Sequence, residues 1–437
     1  MPRLLAAVLL AVAALVPAAC GGGGGSGDGA AARSSAAPTG PAADGEATPA
    51  TGAAGRAAPD PAADPAVHVR ALARVARAHD GTRAAGTPGA RASEDYVAAA
   101  LRAAGYAVHR QVVPFPFFAE RRPPRVTAGG VRVAVRTMAY SPGGRVRGPV
   151  TEVGLGCAAR DFANLAAGAV ALARRGLCPV RVMARRAQAA GAAAVLVADR
   201  GREPVSATLG APGLRIPALA VGAPGARALR RAGRASVRVE AESARRVTHN
   251  VIGERPGGQR TVMLGAHLDS VPAGPGINDN ASGTAAVLAA AERLAATGAT
   301  GLRVAFWGAE ELGLYGSRRY VASLSPAARG QLVAYLNFDM VGTPGGRAEV
   351  YDTNNAAERA LRGALRATGL RFGQERIGAV SDHAAFARAG IPVGGIFTGL
   401  DRCYHRACDD GGNVDIALLR TVTRAIATAA RRLHEAS

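Results

Sequence analysis

The sequence predicts an α/β fold class, a doubly wound and mostly parallel (mixed) sheet flanked by helices, with a small β-rich domain inserted ahead of it. After Arg246, apolar stretches of strand length alternate with stretches of helix length, as in repeated β-α units. Between about 125 and 245, short Val-rich strands alternate with Gly and Pro instead. The chain has 437 residues, which is enough for two such domains.

Residues 1–20 have the organisation of an export signal. Arg3 supplies a positive region, and Leu4–Val16 is an apolar stretch too short to span a bilayer as a stable helix. Two alanines precede Cys20, which resembles a bacterial lipoprotein signal and implies lipidation of Cys20. Pro17 departs from the usual aliphatic residue, which leaves cleavage and release as the alternative. We expect an exported protein, either a cell-surface lipoprotein anchored to the membrane or a secreted protein if Cys20 is not lipidated.

Residues 21–64 consist mainly of Gly, Ala, Pro, Ser and Thr, so we expect a disordered tether there. The folded part is predicted to begin near Pro65 with an amphipathic helix. A second helix is predicted to begin at Ser93 and end at Gly105. The segment Ala107–Val113 mixes apolar and polar residues, which indicates a strand at the edge of a sheet.

Within 125–245, three Val- and Ala-rich stretches predict further strands: Gly168–Arg175, Ala192–Ala198 and Ile216–Val221. Their order resembles the protease-associated domain, a small β-rich module often inserted into exported peptidases. No catalytic group is evident in this insert. Its role stays open, and the two alternatives are binding of a protein partner and partial covering of a neighbouring cleft.

From Arg246 onward, the predicted strands are Thr261–Ala266, Leu302–Trp307, Leu332–Phe338 and Val393–Phe397, and a helix is predicted from Ser282 through Leu294. In doubly wound sheets, ligands bind at the carboxyl ends of the strands. Six polar residues come shortly after the predicted strands: His267, Asp279, Glu310, Glu311, Asp339 and His405. We therefore expect them to lie close together.

These six side chains are two imidazoles and four carboxylates. Zinc binds through imidazole nitrogen and carboxylate oxygen, and two zinc ions can share a bridging carboxylate and a water. The set is sufficient for two ions, with one carboxylate left over as a base. Each residue alone is ambiguous, because paired glutamates usually lie at a solvated helix end and an aspartate often caps a helix.

The residues around these six also match a known family. The matching segments are Gly265–Ser270 (GAHLDS), Ile277–Gly283 (INDNASG), Ala309–Gly313 (AEELG), Asn337–Val341 (NFDMV), Ser381–Phe386 (SDHAAF) and Cys403–Asp409 (CYHRACD). Together they resemble the co-catalytic zinc aminopeptidases of the bacterial leucyl aminopeptidase and aminopeptidase Y type. The resemblance implies a zinc peptidase catalytic domain formed by 65–124 and 246–437, interrupted by the protease-associated domain at 125–245.

The resemblance implies two zinc ions (Zn²⁺) per chain and a role for each ligand. Asp279 would bridge the ions, His267 and Asp339 would complete one site, and Glu311 and His405 would complete the other. Glu310 would be the general base toward the water that bridges the zinc ions.

Three further roles follow from the same resemblance. Asp269 would orient the second nitrogen of His267, as partners of metal-binding histidines commonly do. Tyr404 would donate a hydrogen bond to the oxyanion of the tetrahedral intermediate. A Cys403–Cys408 disulfide would hold the loop that carries Tyr404 and His405.

The expected substrates are peptides with a free N-terminus, whose ammonium group we expect Glu310 and Asp339 to receive. Phe397 is predicted to form a wall of the substrate pocket. Asp382 is predicted either to contact the substrate or to support the loop.

The preferred N-terminal residue stays open, with an apolar residue as the default. In the family that the chain resembles, an arginine is expected where this chain has Val380, and the loop before Asp401 is very short here.

The net charge of +21 does not indicate nucleic-acid binding. The chain contains no lysine, and its arginines are spread from end to end instead of forming one basic stripe. We expect no nucleic-acid partner and contact with a membrane only through a lipid on Cys20. The oligomeric state stays open.

The chain has five cysteines. If Cys157 pairs with Cys178 and Cys403 with Cys408, the cysteine left over is Cys20, which favours its lipidation. Disulfides of this kind are typical of an oxidising exterior.

Three rival functions share the fold. A glutaminyl cyclase-like enzyme would bind a single zinc. In a carboxypeptidase or deacylase with a dimerisation lid, the insertion follows the paired glutamates, whereas here the extra domain precedes His267. A non-catalytic, receptor-like binding protein would have lost ligands, and none is missing from this sequence.

Overall fold

The computed structural model describes residues 63–437. The predicted signal peptide, the lipidation of Cys20 and nearly all of the predicted tether lie outside the described residues. Among the residues that are described, no helix combines the length and the apolar content needed to cross a bilayer.

The described part opens with two helices, α1 (Pro65–Ala78) and α2 (Pro88–Ala103). Each has proline in its first turn and a side-chain cap, from Asp64 and Thr87 respectively, which is a favoured way to begin a helix. The predicted start of the second helix at Ser93 is wrong, because Ser93 lies inside α2 and donates its hydroxyl to the carbonyl of Gly89.

The remaining elements, in chain order, are the following. The strands are β1 (Ala107–Ala128), β2 (Val131–Val133), β3 (Val135–Thr137), β4 (Gly144–Glu152), β5 (Val170–Arg174), β6 (Ala194–Ala198), β7 (Ala218–Val221), β8 (Arg234–Arg255), β9 (Thr261–His267), β10 (Leu302–Trp307), β11 (Leu332–Phe338), β12 (Ala348–Tyr351), β13 (Phe372–Glu375) and β14 (Val393–Phe397). The further helices are α3 (Val180–Ala189), α4 (Ala223–Ala232), α5 (Gly283–Ala296), α6 (Tyr315–Ser323), α7 (Pro326–Gly330), α8 (Ala356–Thr368), α9 (His383–Arg388) and α10 (Ile416–Glu435).

The main sheet has the strand order β13-β12-β14-β11-β9-β10-β8, with β1 beside β8. Its centre is parallel, since β14, β11, β9 and β10 pair in the same direction. The pairings of β12 with β14, β10 with β8, and β8 with β1 are antiparallel. The predicted doubly wound, mixed α/β sheet is therefore confirmed.

Helices cover both faces of this sheet, and burial on both sides accounts for the apolar middle of β9, Val262–Ala266. Val262 and Leu264 join the core cluster that contains α1, α2, α5, α8 and α10. Met263, which points to the other face, packs with residues of α6 and α9. On that second face Tyr335 and Phe386 stack at 3.8 Å between ring centroids, and such a pair contributes about 1 kcal/mol beyond its buried area. The central strands are thus packed between two layers of helices.

The inserted domain is reached through a long two-stranded ribbon of β1 and β8. These strands pair from Ala107 opposite Glu254 to Ala128 opposite Ala235. The first strand thus runs far beyond the predicted Ala107–Val113, and both predicted boundaries of the insert fall inside continuous strands. β4, β5, β6, β7 and β3 continue the sheet from β8 into a separate core. The Cys157–Cys178 disulfide lies in this domain.

Candidate metal centre

Five predicted ligand and base residues lie where the central strands end. His267 is the last residue of β9, and Asp339 directly follows β11. Glu310 and Glu311 come from the loop after β10, and His405 comes from the loop after β14. Parallel strands end at the same edge of a sheet, so distant segments of the chain meet there.

Asp279 reaches the same place from the turn Ile277–Ser282, which precedes α5. Its Oδ1 lies 3.2 Å from Nε2 of His267, and its Oδ2 lies 3.2 Å from Nε2 of His405. A single carboxylate therefore faces both imidazoles.

Two groups of side chains share Asp279. In the first group, Nε2 of His267 lies 3.2 Å from Oδ1 of Asp339. In the second, Nε2 of His405 lies 3.1 Å from Oε2 of Glu311. Within each group, the three atoms able to bind a metal all lie within 4.8 Å of one another. The two groups have the same members as the two ligand sets that the resemblance implied.

Asp269 contacts both His267 and Glu310, through different parts of the residue. The backbone carbonyl of Asp269 lies 3.1 Å from Nδ1 of His267, whereas its carboxylate is 4.0 Å from that nitrogen. The carboxylate instead accepts the backbone N–H of Glu310 at 3.0 Å. Asp269 thus orients His267 through its main chain and Glu310 through its side chain.

Asp409 was not among the predicted site residues, yet it holds the backbone on both sides of the shared ligand. Its oxygens accept the N–H of Asn278 at 2.8 Å and the N–H of Asp279 at 3.0 Å. Asn413 donates to the same carboxylate at 2.9 Å. No local pattern in the sequence indicates this role, because Asp409 and Asp279 are far apart along the chain.

Asp339 is supported by a second set of polar residues that the sequence did not reveal. Ser381 donates its hydroxyl to Oδ2 of Asp339 at 2.8 Å. Asn337 donates to Ser381 at 2.9 Å and to the hydroxyl of Tyr351 at 3.2 Å. The segment Ser381–Phe386 thus supports the metal-binding residue Asp339 through a hydrogen bond from Ser381.

Asp382 directly precedes α9, and its side chain is fully buried. Of the two predicted roles, burial favours support of the loop over contact with the substrate. Burial raises the pKa of Asp382 to about 7. Phe397 ends β14 half-buried, and Val380 is 71% exposed.

Tyr404 and His405 are neighbours whose rings stack at 3.8 Å between centroids. The Cys403–Cys408 disulfide closes the short loop that carries them, and Cys403 is buried. Burial, together with the nearby carboxylates, raises the pKa of Tyr404 above its usual range, so its hydroxyl remains a donor.

The electrostatics of the centre are dominated by crowded carboxylates. Burial raises the pKa of Glu310 well above its usual range, and neighbouring carboxylates add to this, although His267 acts in the opposite direction. Burial also raises the pKa of Glu311 to about 7. Burial alone would lower the pKa of His405, but its contacts with Asp279 and Glu311 outweigh that effect and raise it to about 10. The centre therefore favours additional positive charge.

The donor set fits a pair of divalent zinc ions. Each group combines one imidazole nitrogen with carboxylate oxygens, the donors that zinc accepts. Among the described residues, Oε1 of Glu311 is buried without a hydrogen-bond partner, so a further acceptor remains free beside the second group.

The model of peptidase family M28 matches residues 250–430, and the model of the PA domain matches residues 146–229. The probable lipoprotein aminopeptidase LpqL of Mycobacterium tuberculosis is 37% identical over 366 residues, which cover 76% of this chain and 73% of that protein.

Two solved structures resemble the whole arrangement. The aminopeptidase from Aneurinibacillus sp. strain AM-1 has a TM-score of 0.62 and 26% identity, over 85% of this chain and 93% of its own. BSAP, a zinc aminopeptidase from Bacillus subtilis, has a TM-score of 0.58 and 26% identity, over 84% of this chain and 94% of its own. The chain therefore belongs to peptidase family M28, carries an inserted PA domain and hydrolyses peptide bonds.

Proposed function

We propose that this M28 aminopeptidase works with two zinc ions and releases the N-terminal residue of peptides. The observation that carries the proposal is the carboxylate of Asp279, whose two oxygens each face a different imidazole. A carboxylate placed between two ligand groups suits a pair of ions better than a single one. The choice of zinc is supported by the donor set and by the likeness to BSAP, which is a zinc aminopeptidase.

In this proposal Asp279 is the shared ligand. His267 and Asp339 would hold one ion, and Glu311 and His405 would hold the other. When bound, the ions would supply positive charge that offsets the carboxylates, polarises the scissile carbonyl and makes the attacking water more acidic.

Glu310 is the general base of the reaction. Its backbone is fixed by Asp269, and its carboxylate lies in the electrostatic neighbourhood of His267 and Asp339. Glu310 takes a proton from the attacking water and passes it to the amine that leaves.

Tyr404 stabilises the negative charge that develops on the substrate oxygen. Its ring is held against His405, and the disulfide at Cys403 limits movement of the loop. A donor held in place before the reaction begins lowers the barrier, because no reorganisation is needed when the charge appears.

The requirement for a free N-terminus follows from the carboxylates. The side chain of Asp339 is 18% exposed, so it is accessible beside Glu310 for the substrate's ammonium group. A blocked, uncharged N-terminus would leave these carboxylates without a partner.

We also propose that the protein is exported and held at the membrane by a lipid on Cys20. This part rests on the sequence of residues 1–20 and on the likeness to LpqL, which is a probable lipoprotein aminopeptidase.

The test is zinc quantification together with hydrolysis of a leucyl chromogenic amide. We expect two zinc ions per chain, loss of activity on dialysis against a strong chelator, and recovery with added zinc. The N-acetylated amide should not be cleaved. Hydrolysis that survives complete removal of metal would overturn the proposal, and one zinc with cyclisation of a glutaminyl peptide would favour the cyclase-like alternative.

A further inference from the structure

Arg83 is a fully buried arginine in the connection between α1 and α2. Its guanidinium reaches into a loop of the main domain, residues 268–276, which we term the ligand-spacing loop because it joins His267 to the turn that carries Asp279. Nε donates to the carbonyl of Pro275 at 3.0 Å, and Nη2 donates to the carbonyl of Gly276 at 2.6 Å. Nη1 donates to the carbonyl of Leu268 at the other end of the loop.

The backbone beside this guanidinium makes two more contacts with the same loop. The N–H of Arg83 donates to the hydroxyl of Ser270 at 3.0 Å, and the hydroxyl of Thr82 donates to the carbonyl of Val271 at 3.2 Å. Gly276 has a φ of 62°, and a Cβ there would clash with the carbonyl oxygen of Asp279 and Cβ of Ser270, and would lie 3.3 Å from Nη2 of Arg83. The guanidinium is thus one of several groups packed closely against a backbone that only glycine readily adopts.

A buried guanidinium costs free energy unless its donors and its charge are both compensated. Here carbonyl oxygens take the donors. Burial lowers the pKa of Arg83 to about 10, while the nearby carboxylates of Asp269 and Asp409 act to raise it. Arg83 thus remains a cation at neutral pH, buried against the loop that joins His267 to the turn of Asp279.

We propose that Arg83 is a positioning residue of the metal centre, which sets the separation of His267 and Asp279 by holding both ends of the ligand-spacing loop. The inference rests on the proposed function, because these two residues would then bind the same zinc ion. The hydrogen bonds of Arg83 go to backbone carbonyls and to Ser270, and none goes to the ligand atoms. Its effect on the centre is transmitted through the backbone carbonyls at Leu268 and Gly276.

The direction in which zinc affinity changes distinguishes a positioning role of Arg83 from an effect of its charge. Removing a cation near a metal site would, through charge alone, favour binding of zinc. Loss of the three carbonyl contacts would instead let His267 and Asp279 move apart and would weaken binding. A fall in zinc affinity on removal of Arg83 therefore indicates that His267 and Asp279 are no longer held at the right separation.

The experiment is equilibrium dialysis of full-length protein against buffered free zinc, with zinc per chain measured for wild type and three variants. Arg83→Met removes both the positive charge and the hydrogen-bond donors. Arg83→Lys retains the charge but lacks the planar guanidinium that donates to three carbonyls. Arg255→Met is the matched control, because Arg255 also donates to three carbonyls, those of Ala299, Ala104 and Gly105, away from the centre. Thermal unfolding of the zinc-free proteins is measured in parallel.

We expect Arg83→Met and Arg83→Lys to weaken one of the two zinc sites by about 10- to 100-fold, the range seen when partners of metal ligands are changed. The site of Glu311 and His405 should be affected less. Arg255→Met should lower the unfolding temperature and leave both zinc affinities near those of wild type.

Unchanged or tighter zinc binding in Arg83→Met would overturn the inference, as would an equal loss in Arg255→Met. If Arg83→Met fails to fold, Arg83→Lys carries the test, and binding like that of wild type in that variant overturns it. Wild-type protein that binds no zinc would contradict the proposed function instead, so the two failures are distinguishable.

Discussion

The backbone N–H of Asp279 is held by the carboxylate of Asp409 at 3.0 Å, while the side chain of Asp279 points to both imidazoles. Asp409 directly follows Cys408, in the loop that also carries His405. One loop thus supplies a ligand to the second group and fixes the residue that both groups share. The positions of Asp279 and His405 are therefore coupled.

We expect Asp409→Asn to lower zinc affinity and kcat/KM by about tenfold or more, since partners of metal ligands have effects of this size. The amide retains one acceptor oxygen and places an NH₂ group against a backbone N–H, so one hydrogen bond is lost. Zinc titration and steady-state kinetics measure the change. Asp410→Asn is the control, because Asp410 is exposed and, among the described residues, its carboxylate accepts a hydrogen bond only from the N–H of Gly412. Equal behaviour of the two variants would refute the role given to Asp409.

Glu310→Gln should reduce kcat by about 10²- to 10⁴-fold, the usual contribution of a general base, with zinc content unchanged. The amide has nearly the same shape but cannot take a proton from water. Glu311→Gln provides the contrast, because loss of a ligand should reduce both zinc content and activity. Substantial turnover by zinc-loaded Glu310→Gln would remove the assignment of the base.

Tyr404→Phe should lower kcat by about 10²- to 10³-fold, as found when an oxyanion donor is removed. The ring, and with it the stacking on His405, is kept, so zinc content and KM should change little. Steady-state kinetics on a leucyl amide measure this separation. A rise in KM alone would show instead that Tyr404 binds the substrate in its ground state.

The two disulfides should have different effects on activity. Replacing Cys403 and Cys408 by serine frees the loop of Tyr404 and His405, so we expect lower kcat/KM and weaker zinc binding at the second group. The matched pair, Cys157 and Cys178, lies in the PA domain, and its replacement should reduce stability by about 2–4 kcal/mol with normal kinetics at low temperature. Activity losses of the same size in both variants would contradict this separation.

Stability in acid should depend in part on Asp64. Arg420 donates to Asp64 at 3.0 and 2.7 Å, and this hydrogen bond holds the pKa of Asp64 below its usual value. A depressed pKa in the folded state stabilises the protein fully above the unfolded pKa of about 4, and the effect is lost as pH falls through the folded-state pKa.

Asp64→Asn should therefore lower the free energy of unfolding at pH 7 by less than about 1 kcal/mol, because the pair is partly exposed. Asparagine can still cap α1, so the change isolates the ion pair. Denaturant unfolding at neutral and acid pH measures the difference, which should shrink toward zero in acid. In an Arg420→Gln background, Asp64→Asn should have little effect, and a persistent effect there would exclude the ion pair as its source.

The central strands and the six residues at their ends could be predicted because local patterns encode them. Leu332–Phe338, for example, is a mainly apolar run, interrupted by Asn337, that is followed by a carboxylate, and the structure has the same strand bounds. The start of α2 was missed because Thr87 and Pro88, which cap and open the helix, precede its clear apolar periodicity.

The extent of β1 was missed because Pro114 and Pro116 interrupt its pattern. Both residues are tolerated because the outer edge of this ribbon strand requires no N–H donors.

The residues that support the site could not be predicted from local patterns. Arg83 contradicts the expectation that arginine is exposed, and only its contacts with a loop far along the chain explain its burial. Asp409 lies in a loop, and its partner Asp279 is distant in sequence. Such roles depend on tertiary contacts, which a single sequence does not reveal.

The paired course of β1 and β8 has an evolutionary consequence. The chain leaves the peptidase sheet and returns to it on neighbouring strands, whose backbones are about 5 Å apart. A module can be gained or excised at such a point by exchanging it for a short hairpin turn, without reordering any other strand. The strands that carry residues of the metal centre, β9, β10, β11 and β14, all come after this ribbon in the chain, so the insert interrupts none of them.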